Sequence, residues 1–89
     1  MVLRQRLRGK LAAVRGNIFE RLRTLVAAAI SDGISLGLDE QVVVDAAKWA
    51  FDTLVKPYDI PFLPENIESK LEDRLWQVAE ALIRRAIKE

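Results

Sequence analysis

Apolar side chains recur every three or four residues through the first third of the chain. They occupy eight positions: Leu3, Leu7, Leu11, Val14, Ile18, Leu22, Leu25 and Ala29. The spacing repeats after eleven residues, at about 3.67 residues per turn, so the apolar stripe stays on one face of a nearly straight helix. The pattern predicts one long first helix over residues 2–30, about 42 Å in length. Gly33 is the predicted C-terminal end signal of this helix, within a loop over residues 31–38.

A second apolar pattern predicts a helix over residues 39–55 that begins after Asp39, a favourable N-cap residue. Its apolar side chains surround most of its circumference, so we expect a central helix that neighbours cover on several sides. All three prolines fall in residues 56–64, which predicts an extended, proline-rich connection.

The third predicted helix runs from about residue 65 to residue 88. Its apolar stripe consists of Ile67, Leu71, Leu75, Val78, Leu82 and Ala86. Acidic residues dominate its first turns and basic residues its last, the order that suits the helix dipole. We also expect Trp49 and Trp76 to be substantially buried. The predicted fold is therefore an all-α three-helix bundle with a long N-terminal helix and a proline-rich extended crossover, forming a single domain over residues 1–89.

Composition narrows the chemistry. The chain has 89 residues, 51% of them hydrophobic, and contains neither cysteine nor histidine. It therefore lacks the residues for disulfides and thiolate catalysis, and also the usual general base and the commonest metal ligand. We interpret the acidic residues that begin the third helix as helix-start charges rather than a cation site. We expect no catalytic, cofactor or metal site, no transmembrane segment, and a cytoplasmic location.

Charge is divided unevenly along the chain. Residues 1–30 contain seven basic residues and one acidic residue, whereas residues 31–89 contain seven basic and twelve acidic residues. Basic side chains flank the first apolar stripe in two rows, Arg4, Arg8 and Arg15 on one side and Arg6, Lys10 and Arg21 on the other. These rows could neutralise phosphates of a nucleic acid, although no aromatic residue alternates with the arginines for base stacking. An apolar stripe with basic flanks also suits a membrane surface.

Self-association is the interpretation that we favour. A straight first helix exceeds the second by about 17 Å, so its N-terminal half would lack partners within the chain. The expected self-association residues are Leu3, Leu7, Leu11 and Val14. The sequence thus favours a small non-enzymatic helical interaction module that forms a homo-oligomer, most simply a dimer. A nucleic-acid-binding accessory protein is the first alternative, and membrane-surface association through the same helix is the second.

Overall fold

The computed structural model describes residues 2–57 and 64–88. Within these residues the regular structure is entirely helical, which confirms the all-α class. The α-helices are α1 (Val2–Ala12), α2 (Ile18–Ser35), α3 (Glu40–Ala50) and α4 (Glu65–Lys88), and a π-helical segment, Phe51–Val55, continues α3. The predicted proline-rich crossover lies largely outside the described residues.

The prediction of a single long first helix is wrong, because the chain reverses direction between α1 and α2. Gly16 has a φ of 150°, a conformation that residues with a side chain rarely adopt. Asn17 is the N-cap of α2, and its side-chain oxygen accepts hydrogen bonds from the backbone N–H groups of Phe19 and Glu20, at 3.0 and 3.2 Å. Arg21 donates to the carbonyls of Leu11 and Val14 at the end of α1. Side-chain hydrogen bonds therefore cap both helix ends at the reversal, the end of α1 and the start of α2.

This reversal places the N-terminal leucines inside the chain's own core. Leu3, Leu7 and Leu11 are each at most 1% exposed, and Val14 is half-buried. The three leucines belong to one apolar cluster with residues of α2, α3 and α4. The expectation that these leucines lack partners within the chain is therefore wrong. Since that expectation was the reason for assigning self-association to them, the assignment has no support from the structure.

Gly33 also has a different role from the one predicted. It lies inside α2 and is buried, and a Cβ atom added there would lie 2.8 Å from the side chain of Val43. Glycine at this position lets α2 and α3 approach closely. The helix continues to Ser35, and Gly37, with a φ of 65°, takes the left-handed conformation in the turn before α3.

The central position of the second predicted helix is confirmed. Five residues of α3 are buried: Val43, Val44, Ala46, Ala47 and Ala50. Asp39 is the N-cap residue, as predicted, although its side chain makes no capping hydrogen bond. The last turns are wider than expected, since the N–H of Lys56 donates to the carbonyl of Phe51 at 2.7 Å in a π-helical pattern.

The bounds predicted for α4 are confirmed, but the face that it buries is not. Its buried residues are Glu72, Ala79 and Ile83, whereas Ile67, Val78 and Leu82 of the predicted stripe are 49%, 58% and 49% exposed. With Ala79 and Ile83 facing the core, α4 contacts both α3 and the π-helical segment that continues it.

One contact is aromatic: the rings of Phe51 and Trp76 lie 5.5 Å apart. Another is an ion pair in which Arg84 donates to Glu40 at 3.0 Å. Hydrogen bonds to Glu80 and to Glu40 raise the pKa of Arg84 above its ordinary value. Trp76 and Trp49 are both partly buried and pack against the core cluster, which agrees with the expectation that they are substantially buried.

The reversal predicts opposite effects for two glycines of similar sequence context. Gly9 lies within α1, and a Cβ atom added there meets no other atom within 4 Å. Gly9→Ala should therefore raise the free energy of unfolding by about 0.5–1 kcal/mol. Gly16→Ala should destabilise it by about 1 kcal/mol or more, because alanine does not tolerate the native φ. Urea unfolding of the two variants and the wild type measures both effects. Stabilisation by both substitutions would contradict the reversal and favour a continuous helix.

Candidate interaction site

One row of basic residues on α1 is bound to a buried carboxylate of α2. Lys10 Nζ lies 3.0 and 2.9 Å from the two carboxylate oxygens of Asp32, and Arg6 Nη1 lies 3.6 Å from Oδ1. Asp32 is 5% exposed, whereas the side chains of Arg6 and Lys10 are about half exposed. A carboxylate so deeply buried requires such partners. This row therefore fastens α1 to α2.

The second row of basic residues meets an aromatic ring. The guanidinium carbons of Arg4 and Arg8 lie 5.2 and 5.5 Å from the centroid of the same indole ring, that of Trp49 on α3. Arg4, Gln5, Arg8 and Trp49 line a small open cavity of about 230 Å³. The sequence analysis missed this cluster, because Trp49 is distant from α1 along the chain and lies beside it only once α1 packs on α3.

The remaining two basic candidates are placed elsewhere. Arg21 caps the carbonyl end of α1. Arg15 is exposed in the turn that follows α1, outside the helix that carries Arg4 and Arg8. The structure therefore brings together Arg4 with Arg8, and Arg6 with Lys10, but does not extend either row along a single rod.

A groove between α2 and α4 is an apolar surface feature that the sequence analysis did not anticipate. One part is a cavity of about 400 Å³ lined by Phe19, Leu22, Arg23, Val26, Ala27, Val78, Ala79 and Leu82. A second cavity of about 410 Å³ is lined by Val26, Ile30, Leu82, Arg85 and Ala86. Val26 and Leu82 line both cavities, so the two form one continuous surface, the α2–α4 groove. Phe19 is 49% exposed at one end of it.

The charged side chains of the α2–α4 groove are basic. Among the described residues that line it, the charged ones are Arg23 and Arg85. The groove thus combines an apolar floor with a positive edge, which suits an apolar segment with acidic flanks. The apolar stripe of α4 was the sequence signal for this groove. The period of a stripe does not show whether other parts of the same chain bury it.

The described residues hold neither a cluster of metal-ligating side chains nor a helix able to span a membrane. Residues 2–57 and 64–88 contain no group of three or more acidic side chains placed to hold a metal ion. Across the same residues, every helix is too short or too polar to cross a membrane.

The chain matches no known family model, no curated protein and no solved structure. Its function is therefore inferred from the geometry of its own side chains.

Removing the buried carboxylate of Asp32 and removing its two cations should destabilise the fold by different amounts. Asp32→Asn removes the acid and leaves two half-exposed cations to water, so it should cost about 1 kcal/mol of unfolding free energy. The double substitution Arg6→Gln/Lys10→Gln leaves the buried carboxylate without its cations and should cost more, about 2–3 kcal/mol. Chemical denaturation at neutral pH compares the two. Equal, negligible losses would show that the Asp32 cluster does not fasten α1.

Proposed function

We propose that this chain is a small non-enzymatic helical interaction module that associates with a second copy of itself through the α2–α4 groove. The observation that carries the proposal is the exposure of Phe19, Val78 and Leu82, each about half exposed around one continuous apolar surface. Contiguous apolar surface of this kind, edged by polar groups, is typical of interaction sites. Scattered single apolar residues would not carry the same meaning.

A helix is the segment that suits this surface. The part of α2 that lines the groove extends from Phe19 to Ile30, which is about 16 Å, or three helical turns. Amphipathic helices bind such grooves through apolar side chains spaced three or four residues apart. The chain carries one such stretch itself, since Ile67 and Leu71 lie four residues apart near the start of α4 and Ile67 is 49% exposed.

The charges of α4 favour a second copy as the partner. Residues 65–77 contain four acidic and two basic residues, whereas residues 78–88 contain one acidic and three basic residues. If two α4 helices meet in antiparallel orientation, the acidic half of each faces the basic half of the other. A two-fold axis produces this arrangement naturally, because it presents the same surface of both subunits to each other. The acidic start of α4 would then approach Arg85 at the groove edge of the partner.

The alternative of membrane-surface association through the first helix loses its structural basis. An interfacial helix needs an apolar face to bury among lipids. The apolar residues of α1, namely Leu3, Leu7 and Leu11, are already buried in the core.

We expect the wild-type chain to be a dimer in solution and the double variant Val78→Glu/Leu82→Glu to be a monomer with the same helical content. The substitutions place two carboxylates on the apolar floor of the groove, where association would have to desolvate them. Light scattering coupled to size-exclusion chromatography measures the mass, and circular dichroism checks the fold.

Val2→Glu is the matched control. Val2 is 56% exposed on α1, outside the α2–α4 groove, so this variant should remain dimeric. A wild-type monomer at millimolar concentration, or a dimer that survives the double substitution in the groove, would contradict the proposal.

A further inference from the structure

We propose that Arg4, Arg8 and Trp49 form a phosphate-binding site that takes the backbone of a nucleic acid. This site is separate from the α2–α4 groove and does not depend on self-association. The proposal starts from two guanidinium groups that share one indole ring, at 5.2 and 5.5 Å from its centroid.

The two arginines differ from the other cations of α1 in what balances their charge. Arg6 and Lys10 are paired with Asp32. Within the described residues, no carboxylate lies within ion-pair distance of Arg4 or Arg8, whose contact is with the uncharged ring of Trp49. The two positive charges are therefore held one helical turn apart without a counter-charge from these parts of the chain. An anion placed between them would reduce their mutual repulsion.

The contact with Trp49 also organises the two side chains. Trp49 is half-buried on α3, a central helix, so the ring offers a fixed surface against which the guanidinium groups rest. Arginine side chains held in this way lose less rotamer entropy when they bind a ligand. A planar guanidinium can donate two parallel hydrogen bonds to a phosphate, which a lysine cannot.

The cavity beside this cluster suits a phosphate better than a base. It measures about 230 Å³ and is lined by Arg4, Gln5, Arg8 and Trp49. The guanidinium groups already lie over the indole ring, so the face that they cover is closed to a stacking base. Binding through phosphate alone positions a strand without reading its sequence.

A nucleic acid is a better source of the phosphate than a membrane. Leu3, Leu7 and Leu11 are buried, so α1 has no apolar face to insert among lipid chains. A nucleic-acid backbone, by contrast, is bound by cations alone and needs no apolar face on the helix. The chain offers these on α1, which carries four basic residues and no acidic one. Arg6 and Lys10 remain about half exposed and add to the local positive potential.

The experiment measures fluorescence anisotropy of a labelled oligothymidine with the full chain at low salt. Wild-type protein should bind, and Arg4→Gln/Arg8→Gln should lower the affinity by about tenfold or more. The slope of log affinity against log salt should become shallower by about 1.4, since two phosphate contacts on a single strand are lost. Inorganic phosphate should compete weakly.

Lys70→Gln/Arg74→Gln is the matched control, because it removes the same charge from exposed residues of α4 and should leave the affinity nearly unchanged. Arg4→Lys/Arg8→Lys keeps the charge and should give an intermediate affinity, which separates loss of the site from loss of the fold. Absence of binding by the wild type, or equal losses in the two glutamine variants, would overturn the proposal. Binding to phosphatidylglycerol vesicles but not to the oligonucleotide would overturn it as well.

Discussion

The reversal of the chain between α1 and α2 is the constraint on which the rest of the structure depends. It combines the positive φ of Gly16, the capping side chain of Asn17 and the hydrogen bonds from Arg21 to the carbonyls of Leu11 and Val14. Once the chain reverses, the leucines of α1 enter the core and its cations reach Asp32 and Trp49. A continuous helix would project these side chains beyond the bundle, where neither contact could form.

The same constraint decides which surfaces remain open. Because α1 packs against α2 and α3, it contributes its apolar face to the core and leaves mainly charge outside. On α4, the contacts of Trp76 with Phe51 and of Arg84 with Glu40 turn Ala79 and Ile83 inward. Val78 and Leu82 of the predicted stripe then remain about half exposed beside α2. A basic surface and an apolar groove thus arise on different elements, which separates the two proposed interactions.

Local signals predicted α3 and α4 well, because an N-cap, a proline near a helix start and ordered charges all agreed with the apolar period. The first helix failed for a specific reason: Val14 and Ile18 continue the period across the turn, although the backbone between them is not helical. Gly16 and Asn17 carried the contrary signal, that of a helix end followed by an N-cap. Periodicity also cannot tell which face of α4 the rest of the chain covers, or that Trp49 lies beside Arg4 and Arg8, because both depend on packing.

The distance between residues 5 and 31 tests the reversal most directly. Both side chains, Gln5 and Ser31, are exposed, and the chain contains no cysteine, so a pair of introduced cysteines can carry spin labels without interference. Electron paramagnetic resonance then measures their separation. A continuous helix would place these residues about 39 Å apart, at 1.5 Å per residue. The reversed chain predicts a far shorter separation, set by packed helices whose axes lie about 8–10 Å apart. A distance distribution centred near the longer value would contradict this fold and the placement of both proposed surfaces.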